Sequence, residues 1–231
     1  MPENIQYSEI TNLSETDYLR TFPGVDVNLV GDSLGRGMGH IVYEYGLKEV
    51  VKVPLRRSFH KPPEASLKEW ELGVVNSFFP GNAVATEVLK SNDHPYYLLI
   101  QERLNKFENI SPDNIGEVGT DIGDIITENR ELLRTQGVSL DFLGKEGMTR
   151  CVQAEVSRRI KPEISNLVIS KDHGIPHIAI PDFSILRLRE GSYPSTLQGK
   201  QSRLIATVTF ALNRRLINRH FGVEIGARDS G

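Results

Sequence analysis

The chain has almost no cysteine: Cys151 is the only one, which excludes an intramolecular disulfide framework and fits a reducing compartment. A lone thiol of this kind reads as a small buried hydrophobe rather than a nucleophile. Long apolar runs are missing too. The longest uncharged stretch, Leu72 to Thr86, is broken by Asn76, Pro80 and Asn82, so no membrane span is expected. The start, MPENIQYSEITNLSETDYLR, has no basic region followed by an apolar one, and so no secretory signal is expected. The expected compartment is the cytoplasm, whether of the producing cell or of a host into which the chain is delivered. Charge of one sign is also lacking. A formal net charge of -3 gives nothing global to recruit the chain to nucleic acid or to an anionic membrane, so the partner must be read from local features.

What is present is enough for a folded core: of 231 residues 39% are apolar and 25% charged, the ordinary globular range, and one domain with two lobes is expected. No repeat or low-complexity tract appears. Residues 1–104 alternate β-like runs with Gly and Pro turns (VDVNLVGDSL, GHIVYEYG, EVVKVP, ATEVL, PYYLLIQERL) around one helical patch, and predict a small antiparallel sheet with a helix. Residues 105–231 turn helical, with Ser111 as a cap, Gly137 as a stop, and two short strands at Asn166–Ser170 and His177–Pro181 joined by a turn at Gly174. A last helix over about 201–220 places Leu204, Ile205, Val208, Leu212 and Leu216 on its packed face. Charge is uneven along it: residues 101–146 hold ten acidic against five basic side chains and residues 187–220 one against seven. An acidic helix and a basic tail read first as solvated faces, with Arg214, Arg215 and Arg219 as an alternative surface for an anionic substrate.

The residues that carry chemistry come in order. Gly35, Gly37 and Gly39 lie in GRGMGHIVY, with Val42 just after, and Lys52 sits between valines in VVKVP. Glycines without side chains let a strand-turn-strand backbone close over phosphates, and a branched residue after them covers an adenine ring. A lysine in an apolar strand can reach the α and β phosphates. At this point the chain resembles the protein kinase-like superfamily, whose loop reads GxGxxGxV before a VAIK strand; here His40 replaces the third glycine and Gly39 precedes it. A helix with Leu67, Trp70, Val74 and Phe78 on its apolar face carries Glu71, which has Val74, Val75 and Phe78 at packing offsets, and Glu69 as the alternative; the resemblance implies that one of them pairs with Lys52. In YYLLIQERL the resemblance makes Gln101 the gatekeeper and assigns adenine-edge hydrogen bonds to the backbone of Glu102 and Leu104.

The segment NLVIS…HIAIPDFS resembles the kinase NILL…IxDFG hairpin, which implies Asn166 and Asp182 as magnesium ligands, an amide and a carboxylate being the hard oxygen donors Mg²⁺ prefers. Ser184 stands in the DFG glycine's place, and no APE-like element follows. The family's catalytic aspartate lies five residues before the asparagine, where this chain has Lys161. Asp141 after Gly137 takes that role if residues 142–165 form an insertion, for which Glu155 to Ile160 supplies a helical turn; otherwise Asp141 caps a local turn. His173 and His177 bracket a turn as solvated residues, and neither a zinc spacing nor a nucleophile elbow occurs.

The resemblance covers about two thirds of the chain. It implies an α+β, protein-kinase-like bilobal fold, with a small antiparallel β N-lobe over 1–104 and a reduced, mainly helical C-lobe over 105–231. The expected activity is phosphoryl transfer from ATP with Mg²⁺ to a protein Ser/Thr or a small-molecule hydroxyl, of the divergent bacterial type. The alternatives are a pseudokinase acting as a nucleotide-binding or protein-interaction module, and nucleotidyl transfer to protein on the same fold.

Overall fold

The computed structural model describes residues 10, 12–36, 39–55, 65–172, 174–189 and 197–225. The chain is α+β and divides into two compact units, Met1–Gly73 with Val84–Arg103, and Val74–Ala83 with Leu104–Gly231. The chain changes unit three times, and the last change, between Arg103 and Leu104, lies one residue before the expected break after 104. The excursion over Val74–Ala83 is new, and its cause is local: the Ile180 amide donates to the Asn82 carbonyl at 2.8 Å, Asn82 Nδ2 donates to the Ile178 carbonyl at 2.9 Å, and Ala83 bridges Ile180. Among the described residues no helix is long and apolar enough to cross a membrane.

The first unit is built on a five-stranded antiparallel sheet of β1 (Val30–Arg36), β2 (His40–Tyr45), β3 (Glu49–Pro54), β4 (Thr86–Lys90) and β5 (Tyr97–Glu102), in the order β1-β2-β3-β5-β4. Side chains alternate across each strand. Val51 and Val53 therefore fall together into a core with Tyr45 and Leu98, closed by Tyr18, Leu19 and Phe22 around helix α1 (Glu15–Arg20). Ser14 caps that helix by accepting from the Asp17 amide, and Tyr18 Oη donates to the Tyr97 carbonyl at 2.8 Å. Gly46 at φ 61 makes the β2–β3 turn, a left-handed position where a side chain is strained.

Helix α2 (Ala65–Phe78) begins in this unit. Its buried face is the expected one in part: Val74 and Val75 are buried and Leu67 and Phe78 half-buried, whereas Trp70 is exposed and Ala65 and Lys68 are buried instead. Lys68 occupies an inward position because its stem packs while its ammonium finds Glu71 at 2.9 Å and the face of the Tyr97 ring at 5.9 Å.

In the second unit β6 (Phe107–Ile110), β8 (Ile164–Ser170) and β9 (His177–Ala179) form a three-stranded antiparallel sheet, and β7 (Val138–Leu140) pairs with β10 (Ile185–Arg187). The first helix here, α3 (Gly119–Gln136), is not capped by Ser111, whose amide instead donates to Asn114 Oδ1 in a turn before a short 3-10 segment at Ile115–Val118. Gly137 ends α3 at φ 67 as expected, and its amide donates to the Leu133 carbonyl. The stretch between β7 and β8 holds a full helix, α4 (Gly144–Val156), which ends where the helical turn was expected: of Glu155 to Ile160 only the first two residues are helical. Helix α5 (Leu197–Phe221) buries Ala206, Asn213, Leu216 and Ile217, whereas Leu204, Ile205 and Val208 are exposed. The sequence showed the period correctly and assigned the first half of the helix to the wrong face.

Candidate active site

In the first unit the glycine hairpin joins β1 to β2, with Gly35 opposite Val42 and Val42 opposite Lys52, which is in turn opposite Leu99. Directly paired residues share a face, so Val42, Lys52 and Leu99 form one row on the side of the sheet away from Val51 and Val53. A Cβ built on Gly35 or on Gly39 would meet nothing within 4 Å, so open space lies over both. Gly37 lies outside the described residues, as does His173.

The two candidate glutamates of α2 stand in different surroundings. The Glu69 carboxylate, half-exposed, is 2.7 Å from Lys90 Nζ, and that of Glu71, mostly buried, is 2.9 Å from Lys68 Nζ. Lys68 is thus a charged neighbour of Glu71 that the sequence reading missed. Its position three residues before Glu71, on the buried side of an otherwise apolar helix face, was the available signal.

At the end of β5 Gln101 is buried and its Nε2 donates to Thr86 Oγ1 at 2.8 Å. The Glu102 amide is taken up by the Ala85 carbonyl and that of Arg103 by Lys48, which fixes the backbone up to Arg103. Leu104 begins the second unit.

The second unit brings Asp141, Asn166 and Asp182 towards one place. Asp141 follows β7, Asn166 lies in β8, and Asp182 precedes β10, which pairs with β7. That pairing continues past the strands, the Asp141 amide donating to the Ser184 carbonyl at 2.8 Å. Asn166 Nδ2 donates to the Asp141 carbonyl at 2.7 Å across 25 positions of sequence, so residues 142–165 leave and return beside Asp141.

The Asp141 carboxylate is buried and accepts from the Gly144 amide at 3.0 Å. Burial pushes its pKa above the usual carboxylate range; the Asp182 charge adds to this, and the bond from Gly144 opposes it. Gly144 is required there. At φ 60 its Cβ would fall 2.4 Å from Asn166 Oδ1.

Lys161, the residue five places before Asn166, is exposed and paired with Asp113. Cys151 is buried on α4, its thiol raised to about 11 chiefly by burial, as suits a packing residue. His177 lies partly exposed in β9.

Asn166 and Asp182 carry oxygen atoms, the donor type a hard cation prefers. Asn166 commits its amide nitrogen to Asp141, which leaves its oxygen on the side of Gly144, and Asp182 adds a carboxylate. No cluster of three or more His, Cys, Asp or Glu side chains able to hold a metal occurs among the described residues. No family model, curated protein or solved structure matches the chain.

Proposed function

We propose that the chain is an ATP- and Mg²⁺-dependent phosphotransferase of the protein-kinase-like type, with a protein Ser/Thr or a small-molecule hydroxyl as acceptor. The observation that carries the reading is the Asn166–Asp141 hydrogen bond, which sets a buried carboxylate beside an amide oxygen donor within reach of the charge of Asp182. It is supported by the strand order of the first unit and by the row of Val42 and Lys52 under a glycine hairpin. When bound by Asn166 and Asp182, Mg²⁺ supplies neutralisation of phosphate charge.

Asp141 orients the acceptor hydroxyl and takes its proton while the oxygen bonds to the γ phosphorus and the bond from that phosphorus to the ADP oxygen breaks. A carboxyl whose pKa is pushed upward by burial is a better proton acceptor than a solvated one. Lys52, charged and flanked by buried valines, holds phosphate oxygens. The pseudokinase alternative, in which Lys161 stands in the carboxylate's place, draws no support from an exposed lysine paired with Asp113.

The test is incubation with γ-labelled ATP and Mg²⁺, alone and with a cell lysate, with α-labelled ATP to detect nucleotidyl transfer. Transfer of γ label is expected, weakened far more than stability by Lys52→Met. Mg-ATP at a hundredfold excess over Kd adds about 2.7 kcal/mol to folding. Asp182→Asn removes the metal-dependent part of that gain. Neither label nor thermal shift at millimolar Mg-ATP defeats the reading.

A further inference from the structure

We infer that the outer face of α5 is a docking surface for an anionic phospholipid bilayer, on which the helix lies in the plane of the headgroups. The inference is independent of the phosphotransferase reading. Helix α5 (Leu197–Phe221) has 25 residues, with five Lys or Arg among them and no Asp or Glu. Its inner face is accounted for: Ala206, Asn213, Leu216 and Ile217 are buried, and Asn213 Oδ1 accepts from the Leu143 amide at 2.9 Å.

The outer face combines apolar and cationic side chains. Leu204, Ile205 and Val208 are 64%, 65% and 48% exposed. A helix turns once in 3.6 residues, so Leu204, Val208, Ala211 and Arg215 stand above one another on the side opposite Asn213, in a row about 16 Å long. Lys200 and Arg214 flank that row on one side, and Ile205 and Arg219 on the other. Lys200, Arg214, Arg215 and Arg219 are all exposed. Among the described residues Glu155 pairs with Arg219 at 3.0 Å, and no carboxylate pairs with Lys200, Arg214 or Arg215. Single aliphatic side chains in water are ordinary, whereas three on adjacent turns of one side, edged by cations, form a patch.

Charge decides what covers this patch. A second copy docking through the same face sets cations against cations. A nucleic acid answers the arginines with phosphate and leaves Leu204, Ile205 and Val208 wet. A peptide binds by entering a groove or extending a sheet edge, and the outer side of a helix is a convex ridge. An anionic bilayer answers both parts of the face. Its headgroup phosphates take the lysine and arginines, the edge of its acyl region takes the aliphatic ridge, and a fluid surface accommodates convexity.

The experiment is co-sedimentation of the full chain with vesicles of phosphatidylcholine alone and of phosphatidylcholine and phosphatidylserine in equal parts. The native chain is expected to partition about 10²-fold more strongly onto the anionic vesicles, at about fivefold for each of Lys200, Arg214 and Arg215, and to lose that preference as salt is raised. Two paired variants, Leu204→Ser with Val208→Ser and Arg214→Glu with Arg215→Glu, change only exposed side chains and are expected to melt as the native chain does. Each pair is expected to weaken binding, the charge pair by at least about 25-fold. No binding by the native chain overturns the inference, and so does a charge-pair loss without an apolar-pair loss. Dimers in the native chain that both pairs dissolve assign the face to a second copy, and tighter binding to polyglutamate or duplex RNA than to anionic vesicles assigns it to those partners; each overturns the inference.

Should the variants not fold, the native chain is treated with phenylglyoxal, which modifies exposed arginines, and read by mass spectrometry. Anionic vesicles are expected to protect Arg214 and Arg215, and phosphatidylcholine vesicles are not. Equal modification with both kinds of vesicle sinks the assignment.

Discussion

In the first unit Val42, Lys52 and Leu99 are aligned by the ladder of a regular antiparallel sheet, with backbone bonds alone setting which side chains share a face. In the second unit Asp141, Asn166 and Asp182 stand at or near the ends of short strands, and side chains do the aligning: Asn129, Asn166 and Asn213 each bond the segment from Leu140 to Leu143. The first arrangement tolerates exchange of any side chain that suits a strand. The second fails when one amide is lost, because each buried polar group there relies on a particular partner.

The largest expected effect follows from that dependence. Asp141→Asn should lower phosphoryl transfer by about 10²–10⁴-fold, the usual contribution of a positioned base. It should also raise the melting temperature. Burial raises the Asp141 pKa, so the folded state holds the charged form less readily than the unfolded chain does, and a neutral amide at pH 7 removes that cost. A lower melting temperature would mean that the carboxylate's hydrogen bonds outweigh its desolvation.

Next is a pair of glycines, one from each unit. Gly144→Ala puts a Cβ 2.4 Å from Asn166 Oδ1 at φ 60 and should destabilise by about 3 kcal/mol in urea unfolding, by left-handed strain and displacement of the amide. Gly35→Ala meets nothing within 4 Å and should change stability by under about 1 kcal/mol. Equal costs would erase the contrast between the units.

The same contrast decided what the sequence revealed. Period-2 runs and glycine turns gave the sheet of the first unit nearly strand for strand, and the strand lysine with them, since these signals are local. The bounds of β8 and β9 were close to those expected for the same reason. That Asp141 and Asn166 meet was readable only through the family resemblance, because the bond joining them spans residues 142–165, whose helix α4 no motif announces. Asn129 and Asn213 passed unnoticed. Each is polar on the apolar side of its helix, Asn213 between Ala206 and Leu216 and Asn129 between Ile125 and Leu132, and a polar residue in register with a buried stripe is the sign that was there to be found.

Cys151 tests whether helix α4 is packed as firmly as the strands around it. Its thiol is buried, with Sγ 3.8 Å from the Glu163 carbonyl, and burial raises its pKa from 9.0 to about 11. The native chain should therefore resist iodoacetamide at pH 8, since the thiolate is the reacting form. A raised thiol pKa means that its contribution to stability is fully present below pH 9.0 and is lost as pH rises towards about 11, because only the unfolded chain ionises freely in that window. Cys151→Ala should flatten this part of the stability curve. Fast native labelling would show α4 opening independently of the core.

The smallest expected effect concerns α5, where periodicity was legible and the buried face was not. Leu204, Ile205 and Val208 lie on successive turns of one side and are all about half exposed or more, so Leu204→Lys should shift stability by under about 0.5 kcal/mol. Ile217, at 1% exposure on the face that carries Asn213, should cost about 3 kcal/mol as Ile217→Ala. The reason lies in the helix itself: an apolar residue can stand in solvent at little cost, so an apolar stripe does not by itself say which side is covered. A buried amide must be answered. On α5 Asn213 therefore marks the covered face more reliably than the leucines do, and a Leu204→Lys cost near that of Ile217→Ala would show the opposite.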